Sequence, residues 1–144
     1  MKRSLIPALL ALLCVSPAGA AEDMRQLAQL PAPAQQSLRE EMQDNLLALH
    51  EIMSLVGAGK YAEAGTVAET RLGWSARGVH AGKPPEARPG LHMPPAMHAL
   101  GMEGHKAASA FAAAAKSGDR EQTLAALPNL LNGCVACHAA YRTR

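Results

Sequence analysis

The most specific chemistry in the chain is carried by five consecutive residues near its C-terminal end, Cys134-Val135-Ala136-Cys137-His138. Two thiols three positions apart, followed directly by a histidine, make the C-x-x-C-H pattern of covalent haem attachment. Each cysteine adds across one vinyl group of the porphyrin as a thioether. His138 then offers a neutral imidazole nitrogen to the iron as its proximal ligand. Two other chemistries use part of the same pattern. A redox C-x-x-C pair belongs at a strand-to-helix turn in a βαβ setting, and no strand-rich run surrounds this one. Half of a zinc site needs a second pair of ligands at suitable spacing. The third cysteine, Cys14, lies in a segment expected to be removed. One covalent haem c per chain is the expectation.

That removable segment is residues 1–20. Lys2 and Arg3 precede the apolar run Leu5 to Val15, and Ala18-Gly19-Ala20 supplies small residues for cleavage before Ala21. The pattern is that of an export signal, too short and wrongly flanked for a membrane span. Leu12 and Leu13 stand before Cys14 where a lipoprotein signal would carry small residues. Covalent haem attachment takes place outside the cytoplasm, so motif and signal agree on a periplasmic protein. Removing Lys2 and Arg3 leaves the basic and acidic side chains balanced, 14 and 12 in the full chain. No basic stripe indicates nucleic acid, and no second apolar span indicates a membrane. Nor is there a Ser/His/Asp ordering, a Gly-rich phosphate loop or a pair of catalytic carboxylates, so the expectation is a non-enzyme.

Helices must position the motif. Residues 21–34 form a lead-in arm ending in Pro31-Ala32-Pro33, and residues 35–144 are one domain. From Gln35 to Gly57, the residues Leu38, Met42, Leu46, Leu49, Met53 and Val56 recur at steps of four and three and predict one inward helical face. A second helix is expected from Lys60 to about Val79, with Tyr61, Ala64, Ala68 and Leu72 inward. Lys83 to Pro95 is rich in Pro and Gly and reads as a loop. A third helix runs from about Pro94 to Lys116, with Met97, Leu100, Gly104, Ala107, Phe111 and Ala114 inward. Asp119 and Gln122 resemble a capping box opening a fourth helix. Leu124, Leu127, Leu131, Cys134, His138 and Tyr141 share the face of that helix expected to look into the bundle, so that the haem would hang inside, and Pro128 should kink it. The fold expected is all-α, an antiparallel four-helix bundle with haem c on its C-terminal helix. With one Phe, one Trp and two Tyr, an Ala-rich bundle gains from a large flat group in its middle.

An exported four-helix pattern with CVACH on the last helix resembles the cytochrome c′ family and its low-spin four-helix relatives. The resemblance is best from Ala107 to Arg142, fair from Leu38 to Ala68 and poor across Gly73 to Met102. It implies a periplasmic haem protein, often a homodimer, that passes electrons to redox partner proteins or binds small gases such as NO and CO. By the same resemblance, Cys134 and Cys137 anchor the haem and His138 is the proximal ligand. Arg142 matches a basic position near the haem, with a helix-dipole partner as the plain alternative. Arg39 and Met42 resemble a first-helix pair that meets a propionate and the distal face of the iron, and an ordinary core methionine is the alternative for Met42.

The sixth iron position separates the functions. A methionine there raises the potential and suits electron transfer, whereas an open position binds a gas. Met42 is the first candidate. The segment from His92 to His105 also concentrates donors in His92, Met93, Met97, His98, Met102 and His105. It reads as a source of a haem ligand, as a copper site, or as ordinary structural residues, and His50 reads as a flank residue. The leading function is electron carriage. Gas binding is the second, and copper binding through residues 92–105 is the third.

Overall fold

A computed structural model describes residues 22–144; the expected export signal lies outside them. The described chain is mostly helical: α1 (Ala32–Gly57), α2 (Tyr61–Arg71), α3 (Pro95–Ala115) and α4 (Arg120–Ala140), with three short 3₁₀ turns between α2 and α3. Consecutive helices pack on one another. α2 and α3 run in opposite directions, since Gly65 lies against Ala112 and Ala115 while Gly73 lies against Ser109. The backbones of α1 and α4 make no comparable approach. No described helix is long and apolar enough to cross a membrane.

The helix ends follow local chemistry. Pro33 sits in the first turn of α1, where its missing N–H costs nothing, so α1 starts at Ala32, earlier than the expected Gln35. Gly59, at φ 74°, turns the chain after α1, and the Lys60 N–H donates back to the Leu55 carbonyl at 2.8 Å. α2 ends at Arg71 and not near Val79. Glu69, in its last turn, accepts hydrogen bonds from the Ser75 N–H and hydroxyl at 3.1 and 2.6 Å and another from the Ser109 hydroxyl. Those bonds hold the chain in a 3₁₀ turn at Trp74–Ala76 in place of further helix. At α4 the Asp119 carboxylate accepts from the Gln122 N–H at 2.7 Å. The return half of the capping box is replaced by Ser117, whose hydroxyl accepts from the Asp119 N–H at 3.2 Å. Pro128 lies within α4, which runs through it unbroken.

Two clusters of apolar side chains form the interior. The first gathers Ile52 and Val56 of α1, Ala64 and Ala68 of α2, Ala108, Phe111 and Ala115 of α3, and Leu130 of α4. Alanine and glycine bring these helices close. A Cβ on Gly65 would stand 2.9 Å from the Ala112 carbonyl oxygen, and one on Gly133 would stand 3.0 Å from the Gly104 Cα. The second cluster gathers Ala28, Leu30, Ala34, Leu38 and Met97, with Met42, Met93, Cys137 and Tyr141 packed against it. Its lid is the N-terminal arm. Gln26–Leu27 (β1) pairs in parallel with Tyr141–Arg142 (β2), and the Ala28 N–H donates to the Arg142 carbonyl at 2.8 Å.

The buried face of α1 differs from the expected stripe. Ala34, Leu38, Ala48, Ile52 and Val56 are buried, whereas Leu46 and Met53 are 68% and 46% exposed. The apolar arc of α1 is wider than the face its neighbours cover. α4 shows the same excess: Thr123 and Leu130 are buried, while Leu124, Cys134 and His138 are exposed.

Candidate haem-attachment site

The motif occupies the last two turns of α4, where helical geometry spreads its side chains over two directions. Cys137 is half-buried and packs against the second cluster, as Met42 and Met93 also do. Cys134 and His138 are exposed, which corrects the expectation that they point into packed protein. They continue a stripe with Leu127 and Leu131 at steps of four and three along α4. That stripe is turned away from α3, which meets α4 through Gly133.

α1 carries a matching stripe. Its Asp44 and Glu51 reach Arg71 of α2 at 2.5 and 3.1 Å, which fixes the flank turned to α2. By helical periodicity the opposite flank holds Arg39, Met42, Leu46, Leu49 and Met53. Met42 and Leu49 are half-buried and Leu46 and Met53 are exposed. Two apolar stripes on α1 and α4 are thus only partly covered, on the two helices whose backbones stay apart. Leu49 and Leu127 pack on the first cluster and Met42 on the second, while Leu46, Met53 and Cys134 remain exposed. Side chains of this kind fit a flat apolar group, and burying a leucine-sized side chain stabilises by about 1.5–3 kcal/mol.

Electrostatics separate this pair from a redox or thiolate centre. Partial desolvation by neighbouring protein atoms pushes the Cys134 thiol above its usual range, although its residue is exposed; desolvation and then the neighbouring Cys134 do the same for Cys137. Reactive thiolates are found where a helix N-terminus or a cation lowers the pKa, and these thiols lie near the C-terminal end of a helix. Among the described residues, no three or more His, Cys, Asp or Glu side chains form a group able to hold a metal ion. The motif offers iron a single imidazole.

The arm adds residues that the motif does not announce. Arg25 donates from Nη1 to the His138 carbonyl at 3.4 Å, capping the exposed end of α4, and is itself held by Asp23 at 2.7 Å. Hydrogen bonds from the Arg25 side chain and N–H pull the Asp23 carboxyl down to about 2. Arg142 does not continue the helix; it lies in β2, with Nε 3.7 Å from Asp23 and without a hydrogen-bond partner. Arg39 is exposed and donates to Gln36 at 3.0 Å. The expected donor segment does not assemble as one unit. Met97 is buried in the second cluster and the His92 ring is engaged at 3.0 Å by the Pro85 carbonyl. Met93, His98, Met102 and His105 line a separate cleft, and His50 is exposed on α1. Comparison of the chain with protein-family models, curated proteins and solved structures finds no match.

Proposed function

We propose that this protein is an exported, periplasmic c-type cytochrome that carries electrons on one covalent haem c, held in an antiparallel four-helix bundle of the cytochrome c′ kind. The observation that carries the reading is the pair of partly covered apolar stripes, one of which contains the exposed Cys134 and His138 and the other the exposed Leu46 and Met53. A chain with this few aromatic residues leaves such stripes exposed only at a cost, and a porphyrin bonded at Cys134 and Cys137 would cover both. Bound there, the group supplies a one-electron iron couple.

The chain's own residues divide the remaining tasks. The sulfurs of Cys134 and Cys137 form the thioethers, each S–H adding across a vinyl double bond. His138 supplies the proximal nitrogen, and Arg25 and the β1–β2 pair hold the backbone from which it projects. Met42 is the proposed sixth ligand, half-buried on the flank opposite α2 and packed on the same cluster as Cys137. Arg39, one turn before Met42, and Arg142 are the cations proposed to meet the propionates. Leu46, Leu49, Met53, Leu127 and Leu131 exclude water, which favours a raised potential. No charged patch is assigned to the partner, a redox protein.

Visible spectra of the oxidised and reduced protein, with and without CO, test this. A low-spin reduced spectrum that CO leaves unchanged is expected. A high-spin spectrum that shifts on CO addition would replace electron carriage with gas binding, and a colourless protein would remove the haem altogether.

A further inference from the structure

A cleft of about 390 Å³ opens between the 76–91 segment, α1 and the first half of α3. Glu41, His80, Met93, His98, Met102 and His105 are among its lining residues. Two of the histidines are held in a particular way. His80 sets Nε2 2.9 Å from the Glu41 carboxylate. An ionised carboxylate only accepts, so Nε2 carries the hydrogen and Nδ1 of the neutral ring keeps its lone pair. That Nδ1 is buried and has no hydrogen-bond partner. His105 sets Nδ1 2.8 Å from the Leu72 carbonyl, which likewise can only accept, and leaves Nε2 with its lone pair. The ring is further fixed by Trp74, stacked at 6.2 Å between centroids. A ring N–H given to a carboxylate or a backbone carbonyl is how proteins orient metal-binding histidines. Here two rings lining one cleft show it.

The donors available to complete a set are thioethers. With no group of three His, Cys, Asp or Glu side chains suited to a metal among the described residues, the cleft does not offer the nitrogen and oxygen cage of a zinc or calcium site. Met102 stands three positions before His105, adjacent on one face of α3, and Met93 enters from the chain just before that helix. Thioether sulfur selects soft cations, and imidazole accompanies it at copper.

We propose that this cleft binds Cu(I), with Met102 and His105 as the primary pair and His80 Nδ1 as the third donor. Glu41 holds His80 from behind, and Met93 and His98 close the mouth. The site does not rest on the haem reading, because its proposed donors Met102, His105 and His80 belong neither to the attachment motif nor to the stripes, although Met93 packs on the same cluster as Cys137.

The test uses the full exported chain with its thiols occupied by haem, and in parallel the Cys134→Ser/Cys137→Ser chain, in which no thiol competes. Titrated with Cu(I) against a chromogenic chelator, both should withdraw one equivalent. Met102→Leu and His105→Gln should each weaken binding at least about tenfold, and Glu41→Gln by about tenfold through His80. Met24→Leu, at a side chain 85% exposed and outside the cleft, should change nothing. Met102→Leu removes no hydrogen bond, so its fold is expected to survive even if His105→Gln loosens the contact to Leu72. With Ag(I) as a spectroscopically silent substitute, the Met102 methyl resonance should move while that of Met24 stays. Failure to withdraw copper, wild-type affinity in Met102→Leu, or movement of Met24 in place of Met102 would each overturn the assignment.

Discussion

Cys134 and Cys137 are three residues apart and meet different surroundings: one lies on an exposed apolar flank, the other against the cluster on which Met42 also packs. A group bonded to both must span from the flank toward the cluster, which brings Met42 into consideration as the residue beyond the iron. Met42→Leu keeps the volume and removes the sulfur, so the reduced spectrum should change from low-spin to high-spin and become sensitive to CO. Met97→Leu, at a buried position within the cluster, should leave the spectrum as it is. Glu69 gives a second residue-scale prediction. Hydrogen bonds, from Ser109 first and Ser75 next, hold its carboxyl below the usual glutamate range. A depressed carboxylate contributes stability above its ordinary pKa and loses it as pH falls through the lowered value. Ser109→Ala should therefore raise the Glu69 titration midpoint, read by NMR, and the joint between α2 and α3 should open at a higher pH than in the parent chain.

Among the elements, α3 and α4 set the position of the motif, because Gly133 lets α4 lie against Gly104 just before Cys134. A Cβ at 3.0 Å from backbone has no flexible atom to displace. Gly133→Ala should thus cost about 1–3 kcal/mol by overpacking, measured by urea denaturation, and should lower the fraction of chains that acquire pigment. Much at this scale was legible in the sequence. The stripe Tyr61, Ala64, Ala68, Leu72 is the core side of α2, and Asp119 caps α4, since period and capping are local properties. The core face of α1 was misjudged because its apolar arc is broad enough for two neighbours, and periodicity cannot say which part meets protein. The end of α2 was missed because Ser109, 40 residues from Glu69, helps stop it. The arm was missed for a similar reason: a two-residue parallel pair with the far end of the chain leaves no alternation to read. Nothing local distinguishes Arg25 or the His80–Glu41 pair either.

Over the whole molecule, two apolar clusters hold the fold, and the proposed haem would cover apolar surface bordering both. The first turns on Phe111, fully buried and the only phenylalanine. Phe111→Ala should cost about 3–5 kcal/mol and lower Tm by roughly 10 °C or more, a larger effect than any change on the exposed stripes of the unpigmented chain. The stripes border both clusters, through Leu49 and Leu127 on the first and Met42 on the second, so the pigmented protein should melt higher than the unpigmented one as those stripes are covered. The central claim is that a porphyrin is bonded to this chain through Cys134 and Cys137. Its most direct test is a haem stain of the exported chain on a denaturing gel, made in cells able to mature c-type cytochromes. Stain should travel with the parent chain and vanish from the Cys134→Ser/Cys137→Ser chain. An unstained parent chain, or stain that persists in the double variant, would contradict the account.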